Sequence, residues 1–162
     1  MTDNAQELAA RFPATLSARQ VADTLGLQLA APFRDATPAP FAEGLVQSAT
    51  GWQRLMLLDS DGFYSWQRLS QAQSWHWLAG APAVVTASPD GHDAQASHLG
   101  PDTVLNQQAS LHFAAHIWQT ATSLGAWSLV RCDTEAAPDA ASIEMASPDW
   151  FPTPRAPKAG RR

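Results

Sequence analysis

The chain has 162 residues, enough for one domain with its own hydrophobic core, and its single cysteine excludes an internal disulfide. Its formal net charge is −5, and the rest of the chain is more acidic than that total suggests because four of the ten basic residues fall within residues 155–162. A surface of this sign repels phosphate groups, which argues against a nucleic-acid partner.

The N-terminal residues show no targeting signal. They lack the basic and apolar regions of a signal peptide, and no apolar run approaches the roughly 18 residues that span a bilayer. We therefore expect a cytoplasmic, soluble protein that makes no membrane contact.

The first predicted element is a helix in the segment "SARQVADTLG", residues 17–26. Ser17 is the predicted N-cap, Gln20 completes a capping box, and Gly26 follows the last turn. Residues 3–12 predict a further helical turn that Pro13 ends. We treat residues 1–16 as an extension that precedes the domain.

From about residue 50 onward the chain predicts short strands. Turn residues separate them every 8–12 residues or so, which is typical of antiparallel sandwiches and barrels because hairpins need only short links. The fold class is therefore all-β, and a jelly roll over residues 17–150 is the expected architecture. The predicted strand segments are "QRLMLLD", "FYSWQRL", "SWHWLAG", "AVVTAS", "AQASHL", "TVLN", "SLHFA", "WQTATSLG", "AWSLVRC" and "SIEMA".

The C-terminal residues predict no packed structure. Residues 151–162, "FPTPRAPKAGRR", are rich in proline and basic residues and have almost nothing to bury, so we expect a disordered tail.

The sequence lacks the nucleophile elbow, the phosphate-binding glycine loops and the C-x-x-C motif. It does contain seven segments, in order, that resemble the RmlC-like cupin superfamily, and in particular a family of small cupins of unknown function. The resemblance covers roughly residues 17–147. Its segments are W-Q-R-L at 66–69, Q-S-W-H at 73–76, A-G-A-P at 79–82, S-P-D-G at 88–91, L-G at 99–100, A-A-H-I-W-Q at 114–119 and S-L-V-R-C at 128–132.

The resemblance implies a metal site, but this chain lacks the residues that bind the metal in the family. Cupins take a His and a Glu from the first motif and a further ligand from the second, and the seven-residue interval from Gln73 to Gly80 keeps the family's frame. The three ligand positions hold Gln67, Gln73 and Gln119 instead. Amide oxygens are weak, uncharged ligands for first-row metals, so we expect neither a metal nor another cofactor.

Three amides still predict a binding pocket. Each glutamine offers donors and acceptors suited to a neutral polar ligand, and a buried amide without a partner costs about 1–3 kcal/mol. Trp66, Trp75 and Trp118 are candidates for stacking walls, with packing in the core as the alternative for each. Arg68 is a candidate for binding an anionic group, although we favour a structural ion pair.

A catalytic alternative uses one histidine and the only tyrosine. Some cupin epimerases use a His base and a Tyr acid, which makes His76 the candidate base here, with His112 as the alternative, and Tyr64 the candidate acid. Simple strand alternation places His76 on the face opposite to Gln73, and it separates Tyr64 from Gln67 unless a bulge intervenes. His112 and His116, four residues apart, are a weaker candidate pair for an unexpected metal site.

Three functional hypotheses remain at this point. The leading one is a metal-free cupin that binds a small polar or sugar-like ligand. The alternatives are an epimerase, isomerase or dehydratase, and a structural or interaction protein. Because jelly rolls of this size commonly associate through sheet faces, we also predict a homodimer.

Overall fold

The computed structural model describes residues 10–29 and 39–155. The predicted helix is confirmed as α1, Ala18–Leu25. Ser17 Oγ accepts a hydrogen bond from the Gln20 amide, the Gln20 side chain accepts one from the Ser17 amide, and Gly26 ends the helix at φ 68°. Within the described ranges no helix is long and apolar enough to cross a membrane. The further helical turn predicted for residues 3–12 lies mostly outside the described residues.

The predicted all-β jelly roll is confirmed. The described chain forms two antiparallel sheets, and their strand orders are β1-β2-β3-β10-β5-β8 and β11-β4-β9-β6-β7. The strands are β1 Gln28–Leu29, β2 Ala42–Ser48, β3 Gly51–Asp59, β4 Tyr64–Leu69, β5 Gln73–Gly80, β6 Ala83–Ser88, β7 Gln95–Leu99, β8 Ser110–Phe113, β9 Trp118–Ser123, β10 Trp127–Thr134 and β11 Ile143–Met145.

One predicted strand is wrong. The segment "TVLN" forms a single turn of 3-10 helix, Thr103–Leu105. The Asp102 side chain caps this turn by accepting a hydrogen bond from the Val104 amide, and Asn106 ends it at φ 60°. The apolar side chains of this turn are exposed, with Val104 at 88%, so they have no sheet face to pack on.

The main core lies between the two sheets. Along β3, β5 and β10, every second side chain points into this layer, and the bulk of the layer is buried aliphatic and aromatic side chains. Its buried members are Met56, Leu58, Tyr64, Trp75, Ala83, Val85, Leu99, Leu111, Ala121, Val130 and Cys132. Cys132, the single cysteine of the chain, is free and buried in this layer.

A second core forms on the outer face of the six-stranded sheet, beneath α1. Val21 and Ala22 of the helix pack there with Leu57, Leu129 and other buried residues. Residues 10–16 contribute as well, because Phe12 is buried in this cluster and the Leu16 carbonyl accepts a 2.7 Å hydrogen bond from the Trp127 indole. The described part of the predicted N-terminal extension is therefore part of the packed domain.

The chain continues in ordered contact beyond the predicted end of the domain. The Thr153 amide donates to the Gly91 carbonyl at 3.1 Å, and Arg155 lies 3.2 Å from the Asp90 carboxylate. Residues 151–155, which the sequence assigns to a disordered tail, thus contact the turn between β6 and β7. The rest of that tail, residues 156–162, lies outside the described residues.

Gly80 offers a test of the packing on the helix side. It has φ +83°, and a Cβ there would overlap the Trp127 ring. We expect Gly80→Ala to lower the free energy of unfolding by more than about 2 kcal/mol, because backbone strain and overlap act together. Gly26→Ala is the control: Gly26 has the same sign of φ but open space around it, and we expect a loss of about 1 kcal/mol. Urea unfolding measures both values, and equal losses would contradict the steric argument.

Candidate functional site

The structure brings the three glutamines into the barrel interior at one end. Gln67 and Gln119 are register partners on β4 and β9, and Gln73 begins β5 in the opposite sheet. All three side chains are buried, with exposures of 4%, 4% and 1% for Gln67, Gln73 and Gln119. The three glutamines that the sequence places at the family's ligand positions therefore face the barrel interior.

Two of these amides are held by the protein itself. Gln119 Oε1 accepts a 2.6 Å hydrogen bond from the Trp75 indole, and Gln119 Nε2 donates to the Ile117 carbonyl at 3.2 Å. Gln67 Nε2 donates to the Ser65 carbonyl at 3.1 Å. The bond between Trp75 and Gln119 joins the two sheets, whereas the other two are local bonds to the carbonyl two residues earlier. Together they fix the orientations of both amides.

Gln73 differs from the other two amides. Its carbonyl oxygen is buried and accepts no hydrogen bond within the described part of the chain, although the Gln73 side chain lies close enough to the Tyr64 hydroxyl and the Cys132 thiol to act against the rise in their pKa values. A buried acceptor left in this state costs about 1–3 kcal/mol. This oxygen and the Tyr64 hydroxyl are the two buried side-chain atoms that lack a hydrogen bond among the described residues.

Tyr64 also lies inside the barrel. The register between β4 and β9 shifts between Tyr64 and Gln67, so an irregularity restores the parity that simple alternation would break. The ring packs edge-on against Trp75 at a centroid distance of 4.9 Å, and its hydroxyl has no partner among the residues described. Burial raises the pKa of Tyr64 well above its ordinary value, and it raises the pKa of the Cys132 thiol to about 12.

Arg54 is a charged interior residue that belongs to none of the family motifs in the sequence. Its guanidinium carbon lies 5.5 Å from the Tyr64 ring centroid, and its Nη2 donates to both Glu43 oxygens at 3.1 and 3.2 Å. Burial alone would lower the pKa of Arg54, but the Glu43 carboxylate, with smaller contributions from Tyr64 and Cys132, raises it, so the pKa is above its ordinary value and the charge is kept. The signal was available in "QRLMLLD", where Arg54 shares the parity of the buried Met56 and Leu58.

A cavity of about 460 Å³ opens at this end of the barrel. Gln73 lies in its wall, together with residues from the start of β3 and the ends of β8 and β10. Gln67 and Gln119 are absent from the lining. The main lining side chains are Trp52, Gln53, Gln71, Gln73, Ser74, His112, Phe113, Asp133 and Glu135.

His76 lies on the other side of the six-stranded sheet from Tyr64. Trp75 and Trp77 pack on the interior cluster, so His76 between them points outward, where its Nε2 lies 3.3 Å from the Asp133 carboxylate. Burial and the neighbouring Arg131 lower the pKa of His76, although Asp133 partly opposes them. The two candidates for the catalytic pair are thus separated by the sheet.

The remaining candidates lie on the outer face of the five-stranded sheet. The Arg68 guanidinium carbon is 4.5 Å from the Trp118 ring centroid, and Arg68 forms a 2.9 Å ion pair with Glu144. Trp66 lies on the same face, where its ring contacts Trp150. Trp66, Arg68 and Trp118 therefore form a second polar and aromatic group, separate from the barrel mouth.

Comparison with known proteins agrees with this geometry. The family model described as "Cupin superfamily (DUF985)" matches residues 46–146, and the chain belongs to this family. No curated protein matches the sequence.

Solved structures share the fold at low sequence identity. A protein from Shewanella oneidensis has a TM-score of 0.69 at 14% identity, over 82% of this chain and 85% of its own. A hypothetical protein from Leishmania major has a TM-score of 0.66 at 14% identity, over 81% and 88% of the two chains. A dTDP sugar isomerase from Desulfovibrio desulfuricans has a TM-score of 0.53 at 16% identity, over 76% and 82%.

The donor set does not fit the metal that many cupins hold. The three frame positions carry amides, and in the described chain no group of three His, Cys, Asp or Glu residues could hold a metal ion. His112 contacts Ser74 on the six-stranded sheet, whereas the His116 amide bonds to the Leu69 carbonyl on the other sheet. The predicted histidine pair therefore does not converge.

Metal content gives a direct test. Protein purified without a histidine tag should contain less than about a tenth of an equivalent of first-row metal, since amides supply neither charge nor basicity. The triple variant Gln67→His, Gln73→Glu, Gln119→His restores the family's donor types and should gain metal on dialysis against zinc or manganese. Elemental analysis measures both proteins, and stoichiometric metal in the wild type would contradict the interpretation.

The lowered pKa of His76 predicts a pH dependence of stability. Because the unfolded chain binds this proton more readily than the folded one, the stabilising contribution is present above the unfolded pKa of about 6.5 and is lost as pH falls through the folded pKa. We expect His76→Asn to reduce the loss of unfolding free energy between pH 8 and pH 5. Urea unfolding across this range checks it, with the exposed His98→Asn as control. An unchanged slope in His76→Asn would refute the assignment.

Proposed function

We propose that this protein is a cupin that binds a small, uncharged, sugar-like ligand at the mouth of its barrel without using a metal. The observation that carries the proposal is the Gln73 carbonyl oxygen, which is buried and unpaired among the described residues and belongs to a side chain in the cavity wall. A ligand hydroxyl would supply the missing hydrogen bond.

The energetics favour a hydroxyl donor at this position. Leaving the Gln73 oxygen unpaired costs about 1–3 kcal/mol, and this cost is removed when a donor arrives. An ordered water would serve the same purpose in the free protein. A sugar hydroxyl that replaces the water keeps its hydrogen bond and adds contacts with the ring.

The remaining lining matches a neutral ligand. The cavity volume of about 460 Å³ lies in the range of small-molecule sites. Trp52 and Phe113 offer aromatic surface, and Ser74 and His112 offer hydrogen-bonding groups. Asp133 and Glu135 disfavour an anionic ligand, because the lining contains two carboxylates and neither lysine nor arginine.

The enzymatic alternative receives less support from the geometry. A fold neighbour is described as a dTDP sugar isomerase, so this architecture serves at least one sugar-modifying enzyme. Proton transfer at carbon needs an acid and a base within reach of the same substrate. His76 faces away from the barrel interior that holds Tyr64. His112, the alternative base, lies between Leu111 and Phe113 of the interior cluster and bonds to Ser74, so alternation turns it away from Tyr64 as well.

The matched variants Gln73→Met and Gln119→Met test the proposal. Calorimetric titration of the wild type with glucose, galactose, rhamnose and myo-inositol should show saturable binding of at least one of them. We expect Gln73→Met to weaken that binding at least tenfold, about 1.4 kcal/mol, because methionine keeps the volume and removes the acceptor. Absence of binding to all four probes, or unchanged affinity in Gln73→Met, would overturn the proposal.

Measurements of stability distinguish a structural role for Gln119 from a ligand-binding role for Gln73. Gln119→Met should lower the free energy of unfolding by about 1–3 kcal/mol, because it leaves the Trp75 indole without its acceptor. Gln73→Met should cost less than Gln119→Met, since the oxygen it removes makes no bond in the free protein and only the contacts of the amide with Tyr64 and Cys132 are lost. A larger loss in Gln73→Met than in Gln119→Met would show that Gln73 is structural.

A further inference from the structure

We propose a second ligand site, for a single uncharged sugar residue, on the outer face of the five-stranded sheet. A cavity of about 210 Å³ lies there, where residues that follow β11 cross the sheet. It shares no lining residue with the cavity at the barrel mouth. Its main lining side chains are Phe63, Trp66, Thr120, Ser147, Pro148 and Trp150.

The aromatic walls of this cavity are held in fixed orientations. Trp150 packs against Trp118 at a centroid distance of 4.7 Å, and Arg68 lies 4.5 Å from the centroid of the same Trp118 ring. Trp66 meets Trp150 at 5.6 Å with the two ring planes 87° apart. Rings fixed before binding lose little conformational entropy when a ligand arrives.

Backbone contacts hold the crossing segment in place on both sides of Trp150. The Ala146 amide donates to the Trp66 carbonyl at 3.0 Å, and the Thr153 amide donates to the Gly91 carbonyl at 3.1 Å. The Trp150 amide itself closes a turn with the Ser147 carbonyl at 2.9 Å. Backbone hydrogen bonds therefore fix both walls of the cavity, the sheet on one side and the crossing segment on the other.

Unused indole donors distinguish these tryptophans from those of the cores. The indoles of Trp75, Trp77 and Trp127 each donate to a protein acceptor. Those of Trp66 and Trp150 donate to no acceptor in the described ranges, and neither is a buried, unpaired atom. Both N–H groups are thus accessible to a hydrogen-bond acceptor on a ligand.

The chemistry of the lining selects an uncharged ligand with one apolar face. Charged side chains are absent from this lining, although the chain contains 25 of them, so nothing in the cavity compensates an ionic ligand. Aromatic faces carry a partial negative charge that attracts the C–H groups on one face of a sugar ring. Thr120, Ser147 and the indole N–H groups offer partners for the ring hydroxyls.

Binding of simple glycosides to the full chain tests this site. Saturation-transfer NMR titrations with the methyl glycosides of glucose, galactose, mannose and N-acetylglucosamine should show saturable binding of at least one. We expect Trp150→Ala to weaken that binding at least tenfold and Trp150→Phe, which removes only the indole donor and part of the ring, to weaken it a few-fold. Phe151→Ala, which removes the adjacent exposed aromatic residue, is the matched control and should bind as the wild type does.

The outcomes distinguish this site from the barrel mouth. Glycoside binding that Trp150→Ala removes and Gln73→Met leaves intact supports the second site, whatever becomes of the first. Glycoside binding that depends only on Gln73 overturns the second site and leaves the proposed function standing. No saturable binding, or full binding by a Trp150→Ala variant with the circular dichroism of the wild type, also overturns it. If Trp150→Ala misfolds, the Trp150→Phe titration decides.

Discussion

The hydrogen bond from the Trp75 indole to the Gln119 carboxamide is the interaction on which the polar end of the barrel depends. At 2.6 Å it joins β5 of one sheet to β9 of the other inside the apolar core. Because the surroundings exclude water, losing either partner would leave the other unsatisfied. The bond also uses the Gln119 acceptor. Gln119 and Gln67 are thus held by hydrogen bonds within the protein, whereas the Gln73 acceptor is left unpaired among the described residues.

This division explains how a family with a metal-binding frame can keep its fold without the metal. A bound cation orients its ligands from the centre of the site, whereas here the orientation comes from neutral hydrogen bonds made by the surrounding protein. Arg54 supplies a positive charge near the same region, balanced at the sheet edge by Glu43. The interior therefore remains polar, but hydrogen bonds from the surrounding residues, rather than a central metal ion, orient its amide side chains.

Much of this arrangement follows from local sequence signals, and the rest depends on contacts that such signals do not encode. The capping box of α1, most strands and the inward-facing amides were predictable, because caps and alternation are local properties. Strand β2 was missed because its residues are half exposed on both faces and show no alternation. Alternation also leaves open which layer a half-buried tryptophan joins. The sequence pattern therefore assigns Trp66 and Trp118 to the barrel pocket with the glutamines, whereas both pack with Trp150, more than 30 residues away along the chain, on the outer face of the five-stranded sheet.

The register shift in β4 affects how this family can change over time. Tyr64 and Gln67 are an odd number of residues apart, yet both face the barrel, so the irregular residues between them set the parity of the strand. Deleting one of those residues would exchange the inward and outward side chains on one side of the shift, moving Tyr64 or Gln67 out of the barrel. A substitution changes one inward-facing side chain of β4 at a time, whereas loss of a single codon between Tyr64 and Gln67 would change several of them at once. We therefore expect related chains to vary widely in the residues of this strand and to conserve its length.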